Sequence, residues 1–237
     1  MKVNNKNFKL VFSALMVALS VVLSLFKIEL PYGGSITVFS MAPLVLVAQM
    51  YGAGWGFLTC TVFGFIKMIL GFNNFSYVSG IEAYIIVFLF DYVLAYAVVG
   101  LSGVTRKIKN TGFASALGAF IGCALRYACH IVSGLTVWRT YAESWEAPSF
   151  VSSQLLQPDL LPYTYSVVYN GMYMIPDTIM TIIGGAVFCT IFFEVFKIDV
   201  NEKSSKKLKA VAEENIADSD STESIEEKAA EEPKVEE

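Results

Sequence analysis

Histidine, proline and every familiar enzyme signature are scarce or missing in this chain of 237 residues. It carries one histidine, His130, with four cysteines and seven prolines. Cys60, Cys123, Cys129 and Cys189 all fall in apolar stretches, with no CxxC pair and no Cys/His spacing that would hold a metal. They read as small buried hydrophobes. There is no P-loop, no GxSxG, no HExxH and no nucleophile–base pair, so an enzymatic role has no support. Any ATP-driven step calls for a separate subunit. A basic stripe is also absent, which argues against nucleic acid as a partner. The N-terminal apolar run to Phe26 is too long for a signal h-region and lacks an A-x-A site, so it reads as a first membrane helix.

What the chain does have is apolar length. Hydrophobic residues make up 55% of it, and the mean hydropathy is +0.56. These values predict an all-α polytopic membrane protein. Charge divides it in two. From Asn201 onward there are 12 acidic and 6 basic residues, and the preceding body holds 9 acidic and 11 basic. The reading is a membrane body over residues 1–200 and an acidic tail over 201–237, too poor in large apolar groups to fold alone.

A spanning helix needs about 20 apolar residues. Six segments approach that length: Phe8–Phe26, Val38–Tyr51, Gly54–Leu70, Ile81–Leu101, Phe113–Val137 and Tyr165–Phe196. The second and third are short, and Pro176-Asp177 is expected to kink or break the sixth. Lysines 2, 6 and 9, then Arg106, Lys107 and Lys109, then lysines 203–209 fall on one side of a six-crossing topology. The positive-inside rule makes that side, with both termini, cytoplasmic. The outer connections are 29–37, 72–79 and 139–163. The last holds Tyr141, Trp145, Phe150 and three prolines, a composition suited to a lid or binding loop.

Polar groups at membrane depth mark functional candidates. The fifth segment carries Arg126, Tyr127, His130, Gly134, Trp138 and Tyr141. His130, Gly134 and Trp138 recur every four residues and share one helix face. His130 suits a ligand contact or a bond to a neighbouring carbonyl. Trp138 suits a binding wall or an interfacial belt. Gly134 would let a planar ligand approach the backbone. In the fourth segment Asp91, followed by Tyr92, needs a partner or a wet cavity. Two readings stay open: an internal ion pair with Arg126 or Lys67, and a counter-ion for a cationic ligand. Tyr165, Tyr169 and Asn170 suit either a helix-end role or recognition of a heteroaromatic ring. Asp177 is expected to satisfy backbone groups freed at Pro176. Ala14 and Ala18 form a small-xxx-small pair on the first helix, suited to close packing.

Four of these stretches together resemble one family. PYGGSITVFSMAPLVLVAQMYGAGWG (Pro31–Gly56), FDYVLAYAVVGLSG (Phe90–Gly103), RYACHIVSGLTVW (Arg126–Trp138) and YSVVYNG (Tyr165–Gly171) are similar to successive segments of the thiamine-specific S components of energy-coupling factor (ECF) vitamin transporters. The resemblance implies a six-helix membrane protein that binds thiamine from the outer side. It implies partners too: a transmembrane coupling subunit and two cytoplasmic ATPases, with no cofactor on this chain. By motif position Asp91 would be the acidic ligand group. Tyr92, His130, Gly134, Trp138, Tyr165 and Asn170 would fall at pocket positions. Ala14 and Ala18 would match the motif that contacts the coupling subunit. The alternatives are another vitamin or thiamine precursor on the same fold, a stand-alone transporter with an Asp91–Lys67–Arg126 proton relay, and a structural membrane protein without a ligand.

Overall fold

The computed structural model describes residues 6–29 and 34–195. Residues 31–33 of the first motif, Lys2 and the acidic tail 201–237 with its lysines lie outside the described residues.

The apolar runs become helices because a backbone in hydrocarbon must satisfy its own hydrogen bonds. Helix α1 is Lys6–Leu25. A short antiparallel hairpin follows, β1 (Lys27–Glu29) on β2 (Ser35–Thr37), with Ile28 opposite Ile36. Then come α2 (Ala42–Tyr51) and α3 (Ala53–Leu70). Helix α4 is the apolar stretch Ile81–Thr105. It starts as an α-helix, widens to a π-helix over Val87–Val93, and tightens to a 3-10 helix over Val98–Thr105. Helix α5, Thr111–Thr136, is capped by the Asn110 side chain, which accepts from the Phe113 N–H at 2.8 Å. Helix α6 is Leu161–Thr190. Short 3-10 helices at Phe72–Tyr77 and Trp138–Ser144 fill the connections at one end.

Among the described residues, five helices are long and apolar enough to cross a membrane: α1, α3, α4, α5 and α6. The second expected crossing differs. Helix α2 has ten residues and a length of about 15 Å, half a hydrocarbon core. Every residue from Ala42 to Met50 is buried, which explains why this helix is apolar on all faces. Its one polar side chain, Gln49, is fully used: Nε2 donates to the Ser102 carbonyl (2.6 Å) and to Thr105 Oγ1 (2.9 Å). The chain that was expected to extend this helix from Val38 instead follows the hairpin.

The sixth segment also departs from expectation. It begins at Leu161 rather than Tyr165, with Pro162 in the first turn, where a missing N–H costs nothing. It runs unbroken through Pro176. Asp177 therefore has no broken turn to repair, and its carboxylate is used elsewhere. Outward residues Ile175, Ile179, Ile183 and Val187 recur every four positions and are exposed, as a lipid-facing stripe requires.

Basic groups gather at one end of the bundle. The Lys9 ammonium lies 3.9 Å from the Trp55 ring centroid and 5.2 Å from that of Tyr51. The Arg106 guanidinium packs beside Gly52, in the α2–α3 turn. At the same end α3 meets α4 through two glycines. A Cβ on Gly100 would sit 2.1 Å from the Gly56 carbonyl carbon, so the backbones touch. We predict that Gly100→Val, which overpacks this contact, lowers stability by about 1–3 kcal/mol or more. Thermal unfolding of the detergent-solubilised protein measures it; an unchanged midpoint contradicts the prediction.

Candidate ligand-binding site

Asp91 lies within the widened turn of α4. Such π-helical turns re-aim side chains and are frequent at functional sites. Three donors converge on its carboxylate. His130 Nδ1 lies 3.0 Å from Oδ1, while Ser133 Oγ (2.7 Å) and Trp138 Nε1 (2.8 Å) donate to Oδ2. His130 and Ser133 come from the last turns of α5, and Trp138 from the segment just after it. Two members of the periodic face read from the sequence, His130 and Trp138, therefore converge on one acid. If Nδ1 carries the proton toward Asp91, the opposite nitrogen is an acceptor. That nitrogen, Nε2, is buried without a hydrogen-bond partner among the described residues.

The anticipated ion pair of Asp91 with Arg126 or Lys67 does not form. Arg126 donates to Asp177 Oδ2 at 2.7 Å, and both side chains are deeply buried. The Arg126 guanidinium also lies 4.8 Å from the Tyr96 ring centroid. The other Asp177 oxygen accepts from the backbone N–H (3.1 Å) and hydroxyl (2.8 Å) of Thr37. Asp177 thus ties hairpin strand β2 to α5 and α6. Lys67 donates to Ser24 Oγ at 3.3 Å, on α1. Asp91, Lys67 and Arg126 have separate partners, so the structure assembles no relay from them.

A cavity of about 490 Å³ opens beside Trp138. Trp138, Tyr141 and Trp145 form one wall. Tyr165 and Tyr169 form another, with Tyr77, Ser144 and Glu146 completing it. Aromatic contacts hold this cage in shape. Tyr165 stacks on Tyr169 at 5.3 Å and meets Trp145 edge-on at 5.4 Å. Tyr173, one turn deeper, bridges Tyr169 to His130. The Tyr141 hydroxyl donates to the Tyr77 carbonyl (2.8 Å), joining the 3-10 segments after α3 and α5. The Trp145 indole N–H is buried without a partner among the described residues. Trp138 faces both ways: its N–H holds Asp91, and its ring lines the cavity.

Other expected site residues lie differently. Tyr92 follows Asp91, and successive helix positions diverge by about 100°. Its hydroxyl donates to the Gly71 carbonyl and accepts from Asn74, both at 3.0 Å, and its ring stacks on Phe75. The structure does not bring it to the Asp91 cluster. Nor is the backbone at Gly134 open to a planar ligand. A Cβ there would lie 2.2 Å from Ser166 Oγ, so α6 fills that space. Asn170 binds helices together: its amide donates to the carbonyls of His130 and Ser166 and accepts from the Tyr173 hydroxyl. Tyr165 does line the cavity. Ser133 and Tyr173 were not singled out by sequence, and Tyr77 and Glu146 were visible there only as outer-loop residues without an assigned role. Of the first two, only Tyr173 left a trace, as the third member of a Tyr165–Tyr169–Tyr173 repeat.

Apolar spans around an aromatic cage, with a hydrogen-bonded acid behind it, define a multi-pass membrane protein with a cavity of small-molecule size. The profile of the thiamine transporter protein family matches residues 10–197. The chain belongs to this family. It is 28% identical over 210 residues to the thiamine transporter ThiT of Bacillus subtilis (strain 168), covering 83% of this chain and 96% of that protein. It is 27% identical over 185 residues to the thiamine transporter ThiT of Lacticaseibacillus paracasei, covering 71% and 77%. The solved structure of ThiT from Listeria monocytogenes superimposes with a TM-score of 0.58 at 21% identity, covering 81% of this chain and 96% of that one. At that identity the likeness speaks for the fold, a polytopic all-α membrane architecture. The protein is a bacterial multi-pass transporter and not an enzyme.

Removing one partner of a buried ion pair strands the other charge. Arg126→Ala is expected to cost about 3–5 kcal/mol of stability. Adding Asp177→Asn should recover part of that loss. Thermal unfolding of both variants in detergent checks it; equal stability of wild type and Arg126→Ala contradicts it.

Proposed function

We propose that this chain is the substrate-binding S component for thiamine, which it captures from outside the cell and passes to an ATP-driven ECF module. The observation that carries the reading is the aromatic cage next to the Asp91 cluster. Thiamine joins a permanently cationic thiazolium to an aminopyrimidine. Each aromatic face offers the cation about 0.5–2 kcal/mol, more as water is excluded. Trp138, Tyr141, Trp145, Tyr165 and Tyr169 supply such faces. Asp91 attracts the positive ring and is able to accept from an amino group. His130 Nε2 is buried without a partner among the described residues and, with the proton on Nδ1, accepts from an amino donor. Tyr92, Gly134 and Asn170 support the cage by packing.

In this reading the end with Lys9 and Arg106 faces the cytoplasm, with both termini, and the cage faces outward. The coupling subunit and two ATPases supply the energy, so this chain needs no cofactor. Ala14 and Ala18 are exposed on α1, in line with exposed Leu10 and Val22. A stripe with two small side chains suits close contact with another membrane helix.

Three outcomes follow. Titrating thiamine into the detergent-solubilised protein should quench tryptophan fluorescence saturably, and Trp138→Phe should abolish most of that signal. A folded, ligand-free protein that ignores thiamine refutes the reading. Asp91→Asn should weaken binding about tenfold or more, a loss of ~1.4 kcal/mol. Glu82→Gln, on an exposed carboxylate at the start of α4, should change it little. Equal affinities for the two variants remove Asp91 from the site. Leucine at Ala14 or Ala18 should spare binding and impair cellular uptake; lost binding in the isolated protein instead makes these alanines internal packing residues.

A further inference from the structure

Glu146 has no part in the arrangement above. It lies on the cavity lining, its side chain is exposed, and it forms no salt bridge among the described residues. Among the described residues, no Lys or Arg lines the cavity to offset it. Asp91 adds a second carboxylate just behind the Trp138 ring. Helix N-termini supply no compensating donors either. The lining of α6 begins at Tyr165, a turn beyond its start at Leu161, and the Thr164 N–H is already bonded to the Leu160 carbonyl.

We infer that Glu146 is a specificity residue, a charge filter at the cavity wall that favours thiamine over its phosphate esters. The inference rests on the thiamine reading above. Esterifying the ligand's hydroxyl adds about −1.5 to −2 charges at neutral pH. A cavity of about 490 Å³ is about 10 Å across if treated as a sphere, comparable to the Debye length of about 8 Å in physiological salt. Wherever the ester group settles in it, Glu146 repels it, and no basic side chain on the lining rewards it. The same carboxylate attracts the unesterified cation.

The test measures dissociation constants for thiamine and thiamine monophosphate on the full chain in detergent, at low and high salt. Wild type should prefer thiamine. Glu146→Gln should shrink that preference by about two- to fivefold, the range of an exposed charge interaction. Glu146→Lys should shrink it further. Glu143→Gln, an exposed carboxylate on the same segment outside the lining, should leave it unchanged, and high salt should compress the wild-type ratio. If the ratio stays constant in both Glu146 variants while thiamine still binds, the filter is overturned and the thiamine reading stands. An equal shift in Glu143→Gln also overturns it, since general surface charge would then be the cause. A wild type that binds neither compound overturns both.

Discussion

A charged pair enclosed in an apolar bundle constrains everything packed around it, because neither lipid nor the protein interior solvates a lone ion. Arg126 and Asp177 meet at 2.7 Å with both side chains almost wholly covered. The desolvation cost is recovered only if the remaining donors and lone pairs are also satisfied. That demand draws in other elements. Asp177 takes two hydrogen bonds from Thr37, and Arg126 reaches Met41 Sδ and the Tyr96 face, although its Nε has no partner among the described residues. A helix–helix contact thereby also fixes the hairpin at one end of the bundle, whose Gly34 packs on the Tyr173 ring. The position of the cage thus depends on a pair that does not line it.

The two interior carboxylates are treated in opposite ways. Asp177 is neutralised by a guanidinium. Asp91 is held by a hydroxyl, an indole and an imidazole. Asp177 therefore faces a fixed cation, whereas Asp91 sits directly behind the Trp138 ring that lines the cavity.

The helices were legible because a spanning run must be long and apolar, and length survives in sequence. Helix α2 misled because complete burial in protein and immersion in lipid leave the same composition. Half of the Asp91 cluster was legible through the four-residue period of His130 and Trp138. Ser133 was hidden, since a serine in such a helix usually bonds its own backbone. Tyr92 was drawn in by adjacency to Asp91, although neighbouring helix residues point apart. Tyr77 and Glu146 lie where no period organises the chain. The Arg126–Asp177 pairing had no local signature because its partners sit 51 positions apart on different helices.

Helix α2 also bears on how the molecule comes to be made. It is enclosed by α1, α3, the last part of α4, and α6. The sixth helix is synthesised more than a hundred residues after it. At about 15 Å it cannot rest across a bilayer unaided while it waits. Its finished surroundings exist only once the last helix arrives. The innermost element of the bundle is therefore among the first to leave the ribosome and among the last to reach its native environment, so assembly closes from the outside inward.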